Sequence, residues 1–182
     1  MRFETKKLIL KDGRSAILRT PDRNDAAGLL SYIRQACGET DFLSRYPEEW
    51  EKVTVESEEK WIESRVASPN SLLLVCIVDG RVVGNCEISR LSGKKTEHRA
   101  TVAIAILREF WSLGIGKAMF ESMLDAARSW GVMLVELEFI EGNDRARRLY
   151  ERMGFSVVSE KPNAFRSKDG TLHTEYYMQK YF

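Results

Sequence analysis

Apolar and polar positions along the chain alternate between a period of two and a period near 3.6, and the switches predict a strand-rich α/β order. Residues 8–11 and 16–19 are short apolar runs flanking Asp12-Gly13, a favoured hairpin turn, so the chain is expected to open with a β-hairpin. Thr20-Pro21 predicts a helix start with proline at the first helical position. Ala26, Leu29, Leu30, Ile33 and Ala36 or Cys37 follow at helical spacing until Gly38. A second helix is expected over 57–67, with Trp61, Ile62 and Val66 on one face and Pro69 beyond its end. Residues 71–78 and 81–90 are apolar and β-branched runs about a second turn, Asp79-Gly80, and predict two antiparallel strands. A strand over 98–107 leads into Gly114 and Gly116. Ile115, Met119, Phe120, Met123, Leu124 and Ala127 then recur as one helix face until Gly131. A strand over 134–140 and a helix over 144–153, started by Asn143-Asp144 and closed by Gly154, follow. Runs at 155–159 and 171–180 about Asp169-Gly170 complete a mixed sheet.

Between the first two helices, residues 39–55 are irregular, with Phe42, Leu43, Tyr46 and Trp50 among polar residues and Pro47. Two accounts stay open: a loop whose aromatics pack on the core, or a loop lining an acceptor pocket. Lys94-Lys95 fit a solvated turn. The 182 residues, 43% hydrophobic and 30% charged, fit one globular domain over 1–182. Lys plus Arg number 28 against 27 Asp plus Glu, so no nucleic-acid or acidic-membrane partner is expected. Cys37, Cys76 and Cys86 form neither an even disulfide set nor a C-x-x-C pair, which favours buried thiols. The first residues lack the apolar core of a signal peptide, and no run approaches the ~18 apolar residues of a membrane span, so a cytoplasmic location is expected.

The glycine-bearing stretch carries the first chemical signal. Glycine tolerates positive φ and lets backbone approach a ligand, and the helix that follows presents free amides and a positive dipole end to a phosphate. The stretch fails the Walker pattern at Trp111 and Ala118, and the dinucleotide pattern at Met119, so a nucleotide-triphosphate or dinucleotide site is disfavoured. It resembles instead the pyrophosphate loop [QR]-x-x-G-x-[GA] of the GNAT superfamily of acetyl-CoA-dependent N-acetyltransferases, with Gly114 and Gly116 in the glycine places and Trp111 where Gln or Arg is usual. A second segment is similar to the superfamily's N-x-x-A-x-x-L-Y-x-x-x-G-F signature through Asn143, Ala146, Leu149, Tyr150, Gly154 and Phe155. Helical spacing alone also makes Ala146, Leu149, Tyr150 and Met153 an apolar face, so core packing is an alternative role for them.

The resemblance implies a mixed, mostly antiparallel α/β sheet flanked by about four helices, with two strands splayed around the cofactor site. It implies acetyl-CoA as co-substrate, no metal, a small-molecule amine acceptor, and the possibility of a homodimer. Backbone of Ile104, Ala105 and Ile106 would hold the pantetheine arm, and a nearby strand amide would polarise the thioester carbonyl. Trp111, Ser112, Leu113, Gly114, Ile115, Gly116 and Lys117 would form the pyrophosphate loop. Asn143 would touch the cofactor or cap its helix. Tyr150 matches the usual general acid, since a phenol stays protonated at neutral pH. The base is not inherited by motif, because Ala100 lies near the place where some members carry Glu; His98 and Glu87 are the candidates. Arg145, Arg147, Arg148 and Arg152 are expected to form a solvated face, with Arg147 and Glu151 as an i,i+4 pair. A protein N-terminal or ribosomal-protein acceptor and a non-catalytic acetyl-CoA sensor are the alternatives.

Overall fold

The computed structural model describes residues 3–182. Eight strands form one sheet: β1 (Lys6–Ile9), β2 (Ser15–Arg19), β3 (Ser71–Val78), β4 (Arg81–Arg90), β5 (Arg99–Ile106), β6 (Leu134–Ile140), β7 (Ser156–Arg166) and β8 (Leu172–Tyr181). Four α-helices accompany it: α1 (Ala26–Glu39), α2 (Val55–Ala67), α3 (Ile115–Ser129) and α4 (Asp144–Arg152). The spatial order is β1-β2-β3-β4-β5-β6-β8-β7. All neighbours are antiparallel except β5 and β6. This is the mixed, mostly antiparallel sheet with four helices that the motifs imply.

The two helix layers follow from strand alternation. Asn85 and Glu87 of β4 meet α1 and α2: Tyr32 donates its hydroxyl to Asn85 at 3.1 Å, and Arg65 pairs with Glu87 at 3.1 Å. Gly84 points the other way, where an added Cβ would lie 3.4 Å from Met119 of α3. Ile115, Met119, Phe120, Met123 and Ala127 of α3 are fully buried, the apolar face that their spacing predicts. On that face α4 packs against α3. A Cβ on Gly116 would lie 2.9 Å from Leu149 Cδ2 and 3.5 Å from Ile106 Cδ1. Gly116→Val is expected to overpack this junction and cost about 1–3 kcal/mol; an unchanged urea midpoint would show the contact to be slack.

The first hairpin turns earlier than expected. Leu10 is 3% exposed and opens the turn with a 2.8 Å bond from its amide to the Arg14 carbonyl, so β1 stops at Ile9 rather than near Lys11. Pro21 does not begin α1. Arg19 grips Asp25 through two 2.7 Å bonds, Asp25 accepts the Asp22 amide at 2.8 Å, and Asp22 accepts that of Asn24 at 2.8 Å. This capping box closes a short 3-10 turn before α1, which then runs past Gly38 to Glu39. Thr54 accepts the Ser57 amide at 3.1 Å, so α2 starts two residues before the expected 57. At the far edge β7 extends to Arg166, well beyond the run at 155–159. Pro162 is tolerated because β7 pairs only with β8 and the register shifts there, with Asn163 at φ 58°. Cys37, Cys76 and Cys86 are buried free thiols. Among the described residues, no helix is long and apolar enough to cross a membrane.

Candidate active site

The parallel pair is the weak point of the sheet, and the site lies there. β5 and β6 pair only over residues 99–101 and 134–136. Beyond them β4 holds β5 through Ile106, while β8 holds β6 through Ile140, and the two strands part. The facing edges keep backbone donors and acceptors without a strand partner. Between them opens a cleft of about 1340 Å³. Ile104, Ala105 and Ile106 line it, as expected for a wall that could hold an extended ligand. One group on that wall is engaged: the Ile106 carbonyl accepts the Trp111 indole N–H at 2.6 Å. Trp111 therefore pins the glycine loop to the end of β5, which accounts for an aromatic in place of Gln or Arg.

Gly114 caps α3 at φ 105° with no side-chain cap. Its carbonyl accepts the Ala118 amide at 3.1 Å, and the amides of residues 115–117 have no protein acceptor among the described residues. Trp111, Ser112, Gly114, Gly116 and Lys117 line the cleft, so this helix start opens into it. Leu113 and Ile115 do not line it. The Leu113 carbonyl accepts the Lys11 amide at 3.2 Å, and the Ile115 side chain is fully buried in the core. Asn143 lines the cleft and caps α4, accepting the Ala146 amide at 3.2 Å.

Cations gather at this end. Lys11, Lys117, Arg145 and Arg152 line the cleft, whereas Arg147 is held by Glu151 at 2.9 Å on the solvated face. Arg145 departs from the expected solvated role. Its guanidinium lies 3.9 Å over the Trp111 ring, it donates to Ser112 Oγ at 3.2 Å, and no carboxylate among the described residues pairs with it. Partial burial, and then Arg148, lower its pKa, the mark of a cation short of a counter-anion. Free amides and an unmatched guanidinium on one surface suit a pyrophosphate.

Tyr150 is 8% exposed, and its ring stands among Phe120 at 5.4 Å, Phe139 at 6.2 Å and Phe155 at 6.5 Å. It lines the cleft, and its hydroxyl has no hydrogen-bond partner among the described residues. Burial pushes the phenol up to about 12, so it carries its proton throughout the neutral range. The ring is thus core and the oxygen is left for a ligand.

The two base candidates are not brought to this cleft. His98 sits in the exposed turn before β5, where its carbonyl accepts the Met133 and Leu134 amides. Glu87 faces α2 and is consumed by Ser71 at 2.6 Å, Ser89 at 2.9 Å and Arg65 at 3.1 Å. Ala100 is fully buried. A carboxylate wall on β6 and β8, made by Glu136, Glu138 and Glu175, lines the cleft instead. The Glu136-Leu-Glu138 alternation within 134–140 was the available signal for its β6 part. Of the irregular loop, Phe42, Leu43 and Ser44 line the cleft, and Phe42 lies 3.6 Å from the place of a Cβ on Gly142. Trp50 is turned away, with Arg45 stacked 5.0 Å from its ring.

A sheet split beside its one parallel pair, with a glycine-led helix start at the mouth of the split, defines the fold class that both motifs imply. Residues 39–155 match the model of the Acetyltransferase (GNAT) family, and the chain belongs to that family. An acetyltransferase of the GNAT family from Streptococcus pneumoniae superposes with a TM-score of 0.85 at 24% identity, over 92% of this chain and 99% of that one. YncA from Salmonella typhimurium, solved with its cofactor acetyl-CoA, superposes with a TM-score of 0.77 at 20% identity, over 91% of this chain and 93% of that one. Both show the shared fold. An uncharacterized N-acetyltransferase of Mycobacterium bovis is 27% identical over 92 residues, which are 50% of this chain and 57% of the relative.

Proposed function

We propose that the protein transfers the acetyl group of acetyl-CoA to the amine of a small-molecule or amino-acid-like acceptor by direct attack. The observation that carries this reading is the convergence on one cleft of the acceptor-free amides of Gly116 and Lys117, the unmatched Arg145 and the unpartnered Tyr150 hydroxyl. The amides and Arg145 bind the pyrophosphate. The free edge of β5 aligns the pantetheine, and an amide on it polarises the thioester carbonyl. Tyr150 donates its proton to the departing sulfur. The anion-binding groups and the protonated phenol line one groove, which supports that co-substrate.

Thermal melting of the purified protein with acetyl-CoA, CoA, ATP and NAD in parallel tests the reading. At 100 times its dissociation constant a ligand adds about 2.7 kcal/mol of stability, or about 5–10 °C for a chain of this size. Acetyl-CoA and CoA are expected to give that shift, and ATP and NAD none. A flat response to acetyl-CoA would withdraw the transferase assignment.

A further inference from the structure

We propose that Glu138 is the group that takes the proton of the attacking amine, and that the carboxylate wall around it selects cationic primary amines as acceptors. This rests on the acetyl-transfer reading above and adds the base and the acceptor's charge to it.

Four carboxylates line the cleft: Glu39, Glu136, Glu138 and Glu175. Three are taken. Glu39 accepts from Gln35 at 2.7 Å and from the Arg108 amide at 2.6 Å. Glu136 accepts from Arg99 at 2.7 Å and from Gln179 at 2.9 Å. Glu175 accepts the Tyr177 hydroxyl at 2.8 Å. Glu138 has no hydrogen bond or ion pair among the described residues, and it is exposed to the cleft. It is the carboxylate there with both oxygens free, whereas Glu175 is buried and keeps only one.

Its place in the sheet puts it opposite the acid. Along β6, Glu136 and Glu138 alternate with Leu137 and Phe139. Phe139 packs against Tyr150 and stacks on Tyr176 at 5.2 Å, so Glu138 faces the other side of the sheet, beside its cross-strand neighbour Tyr177. The split between β5 and β6 lies between the two faces. A thioester threaded through it meets the Tyr150 hydroxyl from one side and an amine held by Glu138 from the other. On β5, Thr101, Ala103 and Ala105 share the Glu138 side with small side chains, leaving room for that amine. The Tyr150 hydroxyl, open to the cleft and without a hydrogen-bond partner among the described residues, independently marks where the reacting sulfur belongs.

Charge around the split is segregated. The helix-start end carries Lys11, Lys117 and Arg145, while Glu136, Glu138 and Glu175 stand on β6 and β8, where Arg99 is spent on Glu136. The groups facing Glu138 are Glu136, itself tied to Arg99 and Gln179, and Glu175 and Tyr177 of β8, with Lys161 of β7 beyond. Partial desolvation at the cleft wall, then Glu175, then Glu136, raise the Glu138 pKa, and Lys161 opposes them only in part. A carboxylate with raised pKa is a stronger base and an uncompensated site for an ammonium, and the same wall repels an acceptor bearing its own carboxylate.

The proton and electron balance closes. The acceptor arrives as an ammonium, Glu138 takes one N–H proton, and the nitrogen lone pair forms the C–N bond to the acetyl carbon. The C–S bond breaks with its electron pair on sulfur, and Tyr150 protonates that thiolate. Glu138 releases that proton to solvent, takes the second N–H proton as the C–N bond forms and releases it too, and Tyr150 regains one proton from solvent, so ammonium and thioester become amide and thiol with one proton set free.

The test measures thiol release and product mass for spermidine and for glutamate with wild type, Glu138→Gln and Glu138→Asp, from about pH 5.5 to 9.5. The acetyl-CoA melting shift of each protein is recorded alongside. Wild type is expected to prefer spermidine over glutamate by at least about 100-fold in kcat/KM. Its kcat should fall on the acid side with an apparent pKa above the ordinary glutamate value, since the base must be ionised to act. Glu138→Gln should lose about 100-fold in kcat and the acid limb, with the melting shift intact, while Glu138→Asp should restore part of the rate and the limb. Turnover of Glu138→Gln within about threefold of wild type with the limb in place, or equal use of glutamate, overturns the proposal. A wild-type melting shift without acetylation of spermidine overturns it alone; no melting shift removes the transferase reading with it.

Discussion

Tyr150→Phe is expected to lower turnover by about 100- to 1000-fold while leaving acetyl-CoA affinity within about threefold. The ring contributes to the core through Phe120, Phe139 and Phe155, and phenylalanine keeps those contacts. The hydroxyl makes no hydrogen bond among the described residues, so its deletion acts chiefly on the chemical step. Burial pushes its pKa up to about 12, whereas a thiol in water lies near 8.5. That gap alone would make proton donation uphill by several kcal/mol, at about 1.4 kcal/mol per unit. The same surroundings narrow it. Burial in this protein also lifts the Cys76 thiol up to about 12, so a sulfur leaving in the apolar pocket of Tyr150 becomes a comparable proton acceptor.

A second readout separates position from chemistry. A phenol whose folded pKa exceeds its unfolded value of about 10 loses stabilisation as pH rises from about 10 toward about 12. Wild type should therefore lose stability in that window, and Tyr150→Phe should lose less. Equal turnover of the two proteins at neutral pH would remove Tyr150 from the mechanism.

Phe120→Ala should give the largest loss of stability, about 3–5 kcal/mol, or a fall in Tm of about 10 °C. Phe120 is fully buried in α3 and meets Tyr150 at 5.4 Å and Phe155 edge-on at 5.8 Å, so it joins α3 to α4 and to the start of β7. Alanine would leave a cavity that the surrounding strands and helices have little freedom to fill. Phe120 also lines the cleft and walls the Tyr150 ring, so the truncation frees that ring to tilt and should lower kcat more than it raises KM for acetyl-CoA. Urea midpoints compared with single-turnover rates would check both parts. A midpoint equal to wild type would mean that the aromatic cluster does not join these elements.

The order of strands and helices, the Asp-Gly hairpins and the glycine loop were legible in the chain because each depends on neighbours in sequence. Asp79-Gly80 takes φ 49° and 76° and joins β3 to β4 at the residues that the apolar runs mark out. Gly114 at φ 105° begins α3 where the apolar period changes. Such features are set by local sterics and by which face must be buried. Other features depend on partners far along the chain. The start of α1 is moved by Arg19 gripping Asp25, and Trp111 is fixed by the Ile106 carbonyl. Glu87 looked available as a base until α2 brought Arg65 to it, and Glu138, which no motif singles out, is left without a partner among the described residues where β6 meets β8. By itself the sequence determined the elements, their two faces and the two motifs that name the family. Only the tertiary structure decided which carboxylates are spent and which is free, because a charge is neutralised by whatever the sheet register places beside it, and no local pattern records that register.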